Sequence, residues 1–197
     1  MIALWLFACS EYTVREPPVV PPADPPGREP DDLGEPPDWT SCTAGWNGRY
    51  ANLPADHEAI GDTGDPGEPY ELDWWDDPAF ERFDPTLELG SNFFPVDEGQ
   101  PGDPAFHAVR WNAWMRVYDG GTVSILLGSS DDAWVLFDRE VVAAMPGIHE
   151  MEPVVFDIEV RAGQFPVEVY HAHRGSESAG LRFRVVEGDV AICLAGE

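Results

Sequence analysis

Apolar and polar side chains alternate in several runs between residues 106 and 186, a period of two that sends successive side chains to opposite faces of an extended strand. The alternation predicts strands over 106–118, 122–128, 133–137, 140–143, 154–160, 165–171 and 181–186. Turn residues separate several of them, notably Asp119-Gly120-Gly121, Arg161-Ala162-Gly163 and the stretch 175–180. No long helical period interrupts the series, which argues against an α/β enzyme fold and for an all-β antiparallel β-sandwich.

Upstream the pattern changes twice. Residues 42–60 read as a first strand and loop, and residues 61–105 as an acidic insertion punctuated by Pro and Gly that carries Trp74, Trp75, Phe80, Phe83, Phe93 and Phe94. Long loops with this many aromatics are strapped over a core, and that is the expectation for most of this one. On an extended segment neighbours point opposite ways, so one of Trp74 and Trp75 is expected to be buried and the other to meet a ligand. Residues 10–41 are a Pro-rich acidic linker whose repeated Pro-Pro pairs and repelling charges predict a disordered, extended stalk. Before it, residues 1–9 (MIALWLFAC) read as the end of a lipoprotein signal, with Cys9 as the lipidation site of the Leu-Phe-Ala-Cys box.

The domain is therefore placed at 42–197, and charge narrows its partners. With 37 acidic against 11 basic residues the chain carries a formal charge of -26, unfavourable for nucleic acid and for anionic lipid surfaces. Contact with a membrane is expected only through a lipid anchor, in the cell envelope (outer surface or periplasm), with a fully extracellular location as the other option. Cys42 opens the domain and Cys193 closes it, as in a sandwich whose termini lie side by side, and we read them as one disulfide in an oxidising compartment.

The chemistry-bearing stretch is Asp131-Asp132-Ala133-Trp134, two adjacent carboxylates between two predicted strands. Neighbouring carboxylates repel unless solvent or a shared hard cation relieves them, calcium being the common one outside cells. The surrounding run GTVSILLGSSDDAWVLFDREVV (121–142), together with Trp46-Asn47-Gly48-Arg49-Tyr50 and FHAVRWNAW (106–114), resembles protective-antigen-type lectin-like domains, the PA-fourteen superfamily. Gly147-Ile148-His149, Arg161-Ala162-Gly163 and VEVYHAHR (167–174) are most similar to its fibro-slime branch. The pattern departs at Arg139, where the family has a hairpin Gly, and at His173, where the branch has Glu. The resemblance implies a lectin-like β-sandwich, a calcium ion on Asp131 and Asp132 that engages sugar hydroxyls, and a cis peptide between the two.

Other constellations have plainer readings. His171 and His173 share one strand face and could offer two nitrogens to zinc with His149 or a loop acid as third ligand, but packing is the better account. Trp134 alternates with Leu136 and reads as core; Trp74, Trp75 and His149 remain as ligand-binding candidates. No nucleophile motif is present, so the chain is read as non-catalytic. The function expected is a surface glycan-binding, adhesin-like module using calcium; the alternative is a structural protein-interaction module of an envelope or extracellular matrix.

Overall fold

The computed structural model describes residues 34–94, 106–175 and 177–194, so Cys9, most of the linker and the end of the acidic insertion lie outside the described residues. The described part is an antiparallel β-sandwich. Its strands are β1 (Trp46–Asn52), β2 (Phe80–Asp84), β3 (Leu87–Gly90), β4 (His107–Val117), β5 (Gly121–Ser130), β6 (Asp132–Phe137), β7 (Glu140–Met145), β8 (Glu152–Val160), β9 (Gly163–His173), β10 (Gly180–Glu187) and β11 (Val190–Cys193). One sheet runs β2-β1-β4-β9-β6-β7, and the other β3-β10-β5-β8. Among the described residues no helix is long and apolar enough to cross a membrane.

Period-two alternation builds the interior. Val109, Trp111, Ala113, Met115 and Val117 of β4 meet Phe165, Val167 and Val169 of β9 and Ala133 and Val135 of β6, and Val123, Ile125, Leu127, Leu181 and Phe183 close over them from the opposite sheet. The ring of Trp46 packs edge-on against Phe183, centroids 5.1 Å apart. β11 pairs with β4 at residues 114–117 and β1 pairs with it at 107–112, so the two ends of the domain share one flank of β4. There Leu194 N–H donates to Thr43 O at 2.9 Å, and Cys42 and Cys193 are disulfide-bonded with their Cα atoms 5.7 Å apart, as the reading of the domain ends required.

The insertion begins directly after β1, earlier than expected, and contributes a strand to each sheet: β2 extends the larger and β3 the smaller. Its first part lies as a strap over the outer face of the larger sheet, where Leu53, Ala59, Trp74 and Trp75 form a second apolar layer with Trp134, Leu136, Tyr170 and Ala172. The sequence reading of the tryptophan pair is corrected here. Trp74 and Trp75 are 7 % and 5 % exposed, because residues 73–76 make a turn, closed by Asp76 N–H to Asp73 O at 3.1 Å, rather than an extended segment. Both indoles therefore face the protein, 5.7 Å apart and tilted by 52°. Trp134 is buried as expected, but in this outer layer and not between the sheets.

Candidate functional site

The chain changes sheets across one residue, Asp131, which joins β5 of the smaller sheet to β6 of the larger. So sharp a corner puts Asp131 at φ 64°, a left-handed conformation that Asp and Asn tolerate better than other side chains. Its carboxylate supplies the compensation: Oδ2 accepts the backbone N–H groups of Arg174 at 2.7 Å and Gly175 at 2.8 Å, with His173 Nδ1 3.1 Å away. Its own N–H donates to His149 O at 3.0 Å. The cis peptide implied for this pair is not formed; every peptide among the described residues is trans, and the left-handed turn at Asp131 does the work of redirecting the chain.

Asp132 faces the other way and meets Arg174. The guanidinium places Nε 2.5 Å from Asp132 Oδ2 and Nη2 3.2 Å from Oδ1, while Gly147 N–H donates to Oδ1 at 2.5 Å. The remaining guanidinium protons go to the strap: Nη1 donates to Ala59 O at 3.1 Å and to Asp62 O, and Nη2 to Gly64 O at 3.0 Å. Trp74 lies over the group, its ring centre 5.5 Å from Cζ. Both aspartates are fully buried and Arg174 is 1 % exposed, so the guanidinium and the Asp132 carboxylate pair out of solvent.

This geometry does not fit the shared calcium ion that the resemblance implied. Calcium needs about six to eight oxygens turned toward one point. Here both oxygens of Asp132 are turned to a guanidinium, and one oxygen of Asp131 is divided between two amides. Among the described residues no group of three or more His, Cys, Asp or Glu side chains is disposed to hold a metal.

Behind the corner, on the inner face, His107 of β4 sits opposite His173 of β9, with His171 beside them. The rings of His171 and His173 each lie 5.7 Å from that of His107, and Phe93, Phe94 and Phe106 surround the group. His171 and His173 share a face as alternation required, yet His149, the suggested third zinc ligand, is elsewhere: its Nδ1 lies 2.9 Å from Glu150 O and its Nε2 3.4 Å from Met145 O. Burial, then the neighbouring histidines, holds His107 well below the ordinary imidazole range. Burial likewise lowers His171 to about 4, partly offset by the bond from Nδ1–H to Asp132 O at 3.0 Å.

A second buried polar group, not anticipated from sequence, lies at the β1–β2 edge. Tyr50 donates its hydroxyl to Asp84 Oδ2, which also accepts Trp111 Nε1–H at 2.8 Å, and Arg82 Nε donates to Asp84 Oδ1 at 2.8 Å. Desolvation first, then the hydrogen bond to Asp84, raises the phenol far above its usual value. With Asp84 paired to Tyr50, Arg82 and Trp111, the group ties β2 to the sheet. The Tyr50 and Trp111 positions belong to stretches singled out in the sequence; their partner Asp84 sits in a short charged strand with no such signal.

By sequence, no family model and no curated protein matches the chain. By structure, it is similar to a PA14 sugar-binding domain from an RTX adhesin, with a TM-score of 0.61 and 14% identity over 79% of this chain and 99% of that one. The PA14 domain of the MpAFP antifreeze protein gives 0.54 and 13%, covering 82% and 92%. The epithelial adhesin 9 A domain from Candida glabrata, solved in complex with Galb1-4GlcNAc, gives 0.53 and 10%, covering 81% and 94%. The chain thus has the PA14-type lectin-like fold that its motifs suggested, with the fibro-slime branch left as an expectation.

Proposed function

We propose that the chain is a glycan-binding, adhesin-like module and not an enzyme. The observation that supports this is a match spanning 99% of a domain named for sugar binding, reached with a core drawn from the same strands that carry the motif resemblance. The loops around the acidic corner, residues 54–64, 146–150, 174–175 and 177–179, gather at one end of the sandwich and form the surface we assign to the ligand. At a net charge of -26 the preferred partners are neutral glycans, since sulfated or sialylated ones are repelled. The Cys42–Cys193 bond suits an exported protein, and we place the module at the cell surface, held by lipid at Cys9 with residues 10–41 as spacer.

A glycan array probed with the full chain tests this, beginning with neutral galactosides because one similar adhesin was solved with Galb1-4GlcNAc. Saturable binding to a neutral glycan, weakened by substitutions in the loops at 146–150, 174–175 or 177–179, is the expected result; silence across the array removes the reading. A structural protein-interaction module is the second reading. It draws on the closed acidic corner, which leaves a sugar diol no shared cation to engage. Concentration-dependent self-association in sedimentation without any glycan signal would favour it.

A further inference from the structure

We propose that the guanidinium of Arg174 is the resident cation of the acidic corner, filling an oxygen shell that would otherwise take a metal ion. A guanidinium carries five N–H donors in a fixed plane. Here all of them are placed: on Asp132 Oδ2 and Oδ1, and on the backbone carbonyls of Ala59, Asp62 and Gly64. Carboxylate oxygens mixed with backbone carbonyls are the ligand set of a hard cation such as calcium. The shell draws on two separate elements, the start of β6 and the strap, as a metal site drawing loops together would. The difference is that the positive charge arrives on a side chain at the end of β9, with Asp131 fixing the Arg174 backbone N–H at 2.7 Å and Trp74 covering the group.

The tether changes what the corner depends on. A loop end organised by bound calcium opens when the ion is removed, whereas one organised by Arg174 keeps its shape at any calcium concentration. A ligand at this end of the sandwich then meets protein groups rather than the open coordination positions of an ion. The inference concerns what holds the corner and stands whether or not a sugar binds there.

The test uses the full chain with no sugar, melted in about 10 mM calcium chloride and in about 10 mM EDTA, where an ion bound a hundredfold below its concentration adds roughly 5 °C or more to a domain of this size. Wild type is expected to melt at one temperature in both. Arg174→Ala is expected to melt lower in EDTA and to recover in calcium, and the recovery should vanish in Arg174→Ala combined with Asp132→Asn. Calcium raising the wild type, or Arg174→Ala melting with wild type in EDTA, overturns the proposal. Should Arg174→Ala fold in neither buffer, Arg174→Lys replaces it: charge retained with fewer donors should melt below wild type and ignore calcium, and a wild-type melting temperature would overturn the proposal.

Discussion

Arg110 and Glu168 form an ion pair sealed beneath the strap: Glu168 Oε2 accepts Arg110 Nε at 2.8 Å and Nη2 at 2.7 Å, and takes the Tyr170 hydroxyl at 2.9 Å. Both side chains are about as buried as the core, 5 % and 4 % exposed. Removing one partner from such a pair strands a charge in low dielectric and costs about 3–5 kcal/mol, whereas replacing both with apolar groups is often neutral or better. We expect Glu168→Leu to lower the urea midpoint by that equivalent, and Arg110→Leu with Glu168→Leu to recover most of it. Additive losses in the double variant would show the pair to be stabilising in its own right.

Stability should fall as the solution is acidified from near pH 6.5 to near pH 4. His171 titrates at about 4 in the fold against 6.5 in the unfolded chain, and His107 moves the same way. Their folded values are lowered, so between the two limits the unfolded chain binds more protons; stability is complete above the upper limit and lost on descent. Each such imidazole contributes up to about 1.4 kcal/mol per pH unit across that window. His173 and His149 add repulsion to His171, and Asp131 opposes them. Urea melts at pH 7 and 5 measure the slope, which His171→Gln should reduce; a flat profile contradicts the burial argument.

The interior of the sandwich was legible because apolar side chains line the inner face of β4, β5, β6 and β9, although β6 and much of β9 are buried on the outer face as well, beneath the strap. β2 (FERFD) and β3 (LELG) were missed since each is a short edge strand whose charged residues look like loop. The Trp74-Trp75 pair was misread because side-chain direction depends on whether the backbone is extended or turned, which two adjacent indoles do not reveal. The acidic pair itself was found, but its partner was not. Three of the oxygens around Arg174 are backbone carbonyls, invisible to any reading of side-chain chemistry. Arg174 was quoted only as the end of a strand motif, with nothing to say where its guanidinium would go.

Arg139 is a position where sequence and backbone disagree. The β6–β7 hairpin turns on Asp138 at φ 51° and Arg139 at φ 71°, both left-handed, the combination that favours Asp-Gly over Asp-Arg. A side chain with Cβ in that region costs roughly 1–2 kcal/mol, and Arg139 is exposed, so little packing offsets it. Arg139→Gly should therefore raise the melting temperature by about 2–4 °C for each kcal/mol relieved. Arg139→Ala, still carrying Cβ, is the control and should gain nothing. Equal gains in both would locate the effect in the lost charge instead.

Trp75 is the anchor on which the strap turns. Its ring packs edge-on against Tyr170 at 5.0 Å and Trp134 at 6.3 Å, and its Nε1–H donates to Pro69 O at 2.8 Å, so it fixes the strap both to the sheet and to itself. Trp→Ala at a buried position costs about 3–5 kcal/mol, but here the loss should be local, because the sandwich interior is a separate apolar layer. Amide exchange is expected to accelerate across residues 54–79 in Trp75→Ala while β4, β5 and β9 stay protected. The same strap supplies the carbonyls of Ala59, Asp62 and Gly64 to Arg174, so loosening it should also leave that guanidinium short of acceptors. Exchange at the Arg174 and Gly175 amides, both held by Asp131, reports on this directly. If they stay protected while the strap opens, the corner is held by the aspartates alone and the strap is only a cover.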